Sequence, residues 1–154
     1  MFNMKGQGAT EYLVLLAVVL MIALVSIALL GFFPGLAGDA KATQSASYWK
    51  SARPFGILDV SIVGSTGAAS VVIQNNDPDQ RTIQSLWFNM SNCSYTGAAV
   101  TLNAGEKRTL ALVGCPFPAA TGSAYELSTN ITYNTVDLSG MKQLGTKPVI
   151  GKYT

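Results

Sequence analysis

Residues 12–33 contain no charged side chain, and only Ser26 and Gly31 relieve an otherwise apolar run. At ~1.5 Å rise per residue, a helix of that length reaches roughly 33 Å, close to the ~30 Å hydrocarbon thickness of a bilayer. It is longer than the ~7–15-residue core of a secretory signal. The whole chain is 49% hydrophobic and 12% charged, against about 25% charged in an ordinary soluble domain. Much of that excess sits in this run. The residues from Pro34 onward amount to about one domain.

The absence of histidine removes imidazole acid–base catalysis, the Ser-His-Asp triad, Cys-His nucleophiles and imidazole metal ligands. Ten Lys and Arg against eight Asp and Glu give a net charge of +2. No basic cluster exceeds Lys107-Arg108, so no electrostatic footprint for nucleic acid is present. Asp77 and Asp79 are closely spaced, but Pro78 stiffens the stretch between them and no third acidic ligand follows, which makes a turn rather than a calcium site. Gly64-Ser65-Thr66-Gly67 lacks the lysine of a phosphate-binding loop and reads as a hairpin turn. The chain is therefore expected to be no enzyme, with no catalytic residue, cofactor or metal.

Glu11 stands one residue before the apolar run. Near the start of a helix it is favoured by the positive end of the macrodipole, and that suffices to explain it. A sharper possibility follows from a cut between Gly6 and Gln7, which would leave an ammonium four residues from Glu11. If such helices pack side by side, an ionised carboxylate costs several kcal/mol unless it is paired. A neighbour's new amine is then the available partner.

Lys5-Gly6-Gln7, followed by Glu11 and Leu15, resembles the class III signal peptide of archaeal type IV pilins. The resemblance implies that residues 1–6 are a leader removed by a prepilin peptidase, so that Gln7 begins the mature chain and Glu11 is its fifth residue. Ala9 departs from the serine often found at mature position three; the small size is kept and the hydroxyl is not. A plain membrane anchor and a Sec signal cut near Ala37 or Ala40 are the alternatives.

Pro34 and Gly35 interrupt the run, with helix expected to resume over small residues and good helix formers and to end before Pro54. A kink or short break is expected near Pro34. Residues 7–53 thus form the hydrophobic helix and residues 54–154 a β-rich head. Tyr48, Trp49, Lys50 and Arg53 cluster at the join, as a similar stretch does in the archaeal pilins. The two aromatics are expected to pack against the head, with membrane-interface anchoring as the alternative. Lysines on both sides of the run leave the orientation unspecified by the positive-inside rule.

Asn89, Asn92 and Asn130 each begin an N-glycosylation sequon. Cys93 and Cys115 are the only cysteines. They form either two buried thiols or a disulfide worth ~3 kcal/mol by chain entropy. Sequons and a disulfide suit an exterior, oxidising location.

Alternating apolar and polar residues predict strands near 58–62, 70–74, 82–88, 99–102, 107–113, 125–136 and 148–153. Turns fall at Asn75-Asn76-Asp77-Pro78-Asp79 and Asn103-Ala104-Gly105-Glu106. No crossover helices are visible, so the fold class is α+β: a long N-terminal hydrophobic helix followed by an antiparallel β-sandwich, Ig-like or a small barrel.

The resemblance implies a structural subunit of an archaeal adhesion pilus, polymerised into a helical filament of identical chains because head-to-tail contacts do not close. The implied partners are the prepilin peptidase, an assembly ATPase and a platform membrane protein. The precursor would reside in the cytoplasmic membrane and the filament outside the cell. A minor pilin or pseudopilin, an archaellin-like subunit, and a single-pass anchored exterior β domain that binds a surface polymer or solute are the rival expectations.

Overall fold

The structure is a computed structural model that describes residues 7–88, 93–116 and 118–154, with side chains described except at 7 and 32–37. It contains one helix, α1 (Gln7–Ser51, 45 residues), and ten strands among the described residues. The strands are β1 (Phe55–Ile62), β2 (Ala69–Asn75), β3 (Arg81–Phe88), β4 (Cys93–Tyr95), β5 (Val100–Leu102), β6 (Lys107–Leu112), β7 (Ala124–Leu127), β8 (Thr129–Asn134), β9 (Met141–Leu144) and β10 (Val149–Lys152). The class is α+β with antiparallel sheets.

Where the sequence leads one to expect a kink or break near Pro34, α1 is assigned as one element across that position. Proline costs a helix one hydrogen bond and some steric strain, about 3 kcal/mol. The helix-forming residues on both sides evidently carry the element through.

Contacts divide the chain into two units, one ending at Ala40 and one spanning Lys41–Thr154. The division falls inside α1 and not at residue 54, because the last turns of the helix belong to the head. Ser45 and Trp49, one turn apart, are buried at 3% and 1% exposure. Ala42 and Ala52 continue that face as partly buried and buried positions. Ser45 Oγ donates to Pro148 O (2.7 Å) and accepts from Ile150 N (3.2 Å), while Trp49 Nε1 donates to Lys147 O (3.1 Å). Thr146 N donates to the Tyr48 hydroxyl (3.2 Å). Both aromatics at the join therefore pack on the head. A Cβ at Gly145 would run into the Trp49 ring, so only glycine fits there.

The carbonyls left over at the end of α1 are met by Asn76 Nδ2, which donates to Lys50 O (3.1 Å) and Ala52 O (2.8 Å). Neighbouring Asn75 is fully buried. Its Nδ2 donates to Asp79 O, Leu102 O and Asn103 O at 2.8–3.2 Å, and its Oδ1 accepts from Asp77 N. The two turns expected from sequence, at 75–79 and 103–106, are thus held together by one amide. Gly105, at φ 71°, occupies the left-handed conformation that the second turn requires.

Three sheets result, ordered β1-β2-β6, β10-β7 and β4-β3-β8-β9, the last carrying β5 on β3. Their inward residues join one hydrophobic cluster that includes Phe55, Ile73, Leu86, Leu110, Leu127 and Ile131. The strand expected over 125–136 is two strands. β7 pairs with β10 and β8 with β3 and β9, so the chain changes sheets at Ser128. β9 escaped the sequence reading because its inward residue is polar: Gln143 accepts from Phe55 N (3.0 Å) and donates to Phe55 O (2.8 Å), tying β9 to β1.

Candidate functional site: an uncovered apolar helix and a cross-linked head

Over Gly8–Gly31 the mean hydropathy reaches 3.3 and no residue is buried. Tyr12, Leu13, Val14, Leu15, Met21 and Leu30 are all at least 60% exposed. They point in every direction around the axis, so the helix has no polar face to turn toward water. A segment with this length and composition is compatible with membrane anchoring or with a signal sequence.

Gly6 lies outside the described residues, and Gln7 is the first described helical residue. Glu11 is one turn further on and exposed. It forms no ion pair or hydrogen bond among the described residues. With Thr10, Val14 and Leu15 it lines a shallow, mostly apolar groove of about 480 Å³. The hydroxyl of Ser26, in the middle of the run, donates back to Ile22 O (2.7 Å) and so presents little unmet polarity.

In the head, Cys93 and Cys115 form a disulfide across a sequence separation of 22, with Cα atoms 4.1 Å apart. It joins the start of β4 to the segment after β6, beside the Ser94–Val113 bridge. Asn89 and Asn92 lie outside the described residues. Asn130 is described and sits on β8, between β3 and β9.

The acidic pair at 77 and 79 is occupied by Arg81, whose Nη2 lies 3.1 Å from Asp77 and 3.6 Å from Asp79. Among the described residues no three Cys, Asp or Glu side chains gather as metal ligands would. Glu106 accepts from Asn103 N and from Arg108, and these bonds hold its carboxyl below the usual range, the backbone bond most of all. Tyr125 donates to Val60 O (2.9 Å); burial, then the charge of Asp59 and the neighbouring Tyr153, pushes its phenol up to about 12. Both groups are held by bonds within the head.

Sequence reasoning missed that Trp87 and Leu144 flank Asn130 across the sheet. Half of the signal is in the sequence, since the inward alternation of Leu86 and Phe88 forces Trp87 outward. The register that brings Leu144 opposite is not. No family model matches this sequence, and neither does any curated protein.

Proposed function

We propose that the chain is a structural subunit of an archaeal type IV-like adhesion pilus, cut between Gly6 and Gln7 and polymerised through α1 with its β-sandwich head outward. The observation that carries the proposal is the segment Gly8–Gly31, apolar on every side beyond Glu11 and, among the described residues, nowhere buried. Such a helix suits lipid first and a bundle of identical helices afterwards. Lipid is as apolar as leucine, so leaving the membrane yields little hydrophobic free energy, and close packing must supply the difference. Glu11, with no ion pair or hydrogen bond among the described residues, is available to a neighbour's Gln7 ammonium. A machine to extract the subunit, an ATPase with a membrane platform, is then required. The role is structural and not catalytic.

A head closed by a disulfide fits the exterior of the cell. The test is N-terminal mapping by mass spectrometry of chain recovered from sheared surface material and from membranes. A start at Gln7 in the sheared fraction is expected. A start at Met1, with the chain confined to membranes, would establish a single-pass anchored β domain instead.

A further inference from the structure

The outward face of β8 carries Asn130, Thr132 and Asn134, while Thr129, Ile131 and Tyr133 point into the core. Its neighbours in the rows of Thr132 and Asn134 are polar: Ser85, Lys142 and Thr82. The row of Asn130 differs. There Trp87 on β3 and Leu144 on β9 stand on either side, 55% and 64% exposed. Together with Ser128, Thr129 and Gly145 they frame an open groove of about 360 Å³, within the size range of small-ligand sites. Asn130 Oδ1 is buried and has no hydrogen-bond partner. The oxygen is thus the inner end of the amide, and the nitrogen is the end left toward the groove.

We propose that Asn130 carries an N-linked glycan whose first sugar lies on the Trp87 ring against Leu144, covering both. Three observations converge: the acceptor triplet Asn130-Ile131-Thr132, a side-chain amide at the groove whose oxygen is its buried end, and apolar walls that a sugar's C–H face would shield from water. In the transfer, Nδ2 attacks the anomeric carbon of a lipid-phosphate-linked oligosaccharide. The new C–N bond replaces the C–O bond to phosphate, the lipid phosphate departs with that electron pair, and a transferase base takes the Nδ2 proton. No oxidation state changes. β8 is paired on both sides, so the transfer precedes closure of the sheet. The inference rests on the exterior placement of the head proposed above.

The two tryptophans provide the test, because Trp49 is 1% exposed and Trp87 55%, so a quencher in solution reports on Trp87. Full-length protein from the native cell envelope is to be compared with N130Q and T132A made in the same cells. The expected result is a glycan on the Asn130 peptide of the native chain. Acrylamide quenching of tryptophan fluorescence should be severalfold weaker there than in either variant. T132A keeps the asparagine and so covers the case that N130Q folds poorly. An unmodified Asn130 overturns the proposal: a glycan at Asn89 or Asn92 in that chain leaves the exterior reading standing, whereas bare sequons throughout and a head protected from external protease remove it as well. Equal quenching with Asn130 modified overturns the seating of the sugar on Trp87.

Discussion

Between Gly8 and Gly31 no side chain is buried, whereas Trp49, Phe55, Ile73, Leu86 and Ile131 in the head are at most 1% exposed. Composition already separates the two, since much of the chain's apolar excess sits in the helix, and pattern separates them further. In the head, inward apolar residues alternate with outward polar ones, and the sheets close on one another. In the N-terminal helix apolar side chains occupy every direction, and among the described residues of Gly8–Gly31 none is buried. The head covers its own apolar side chains, and under the proposed function lipid or other copies cover those of the helix.

Substitutions that affect one region and spare the other test this division most directly. The largest effect is expected from Trp49→Ala, which empties a buried site and removes the bond to Lys147 O; about 3–5 kcal/mol of head stability should be lost. Denaturant unfolding followed by circular dichroism would show it, and an unchanged midpoint would mean that the end of α1 is not part of the head's core. Leu20→Lys should cost about 2.5–3.5 kcal/mol of membrane insertion while leaving the melting of the head where it was. A shift in head melting would show that the two regions are coupled. Glu11→Gln should leave cleavage intact and weaken each subunit contact by about 1–3 kcal/mol, through a neighbouring amine left without its partner. Unchanged filament yield would remove Glu11 from assembly.

The smallest effect concerns pH. Tyr125 holds its proton up to about 12 in the folded head, against an ordinary 10.0. Its contribution is therefore whole below pH 10 and is lost as the pH rises through about 12. Alkaline unfolding should steepen across that interval and flatten in Tyr125→Phe. Identical profiles would assign the alkaline limit to other groups.

The helix was legible because a gap in charge needs no tertiary context to be read. Most strands were legible for a similar reason, the alternation of Val71 and Ile73 or Leu110 and Leu112 being local. The failures share a cause: they depend on partners distant in sequence. Gln143 reads as a surface residue until Phe55 is placed opposite it. The single run over 125–136 divides only because β7 and β8 pair in different sheets. Asn76, expected only in a turn, finishes α1 because folding brings that turn to Lys50 and Ala52. At the candidate site, Glu11 stood out by its chemistry, while the enclosure of Asn130 depended on two registers that no local pattern specifies.

The Asn76 cap has a mechanical consequence. Tension applied along α1 enters the head near Lys41 and is shared among several attachments in parallel: the Ser45 and Trp49 bonds to the chain around β10, and the two Asn76 bonds at the end of the helix. A load on Lys41–Ser51 would therefore have to break these bonds together before the sheets begin to unravel.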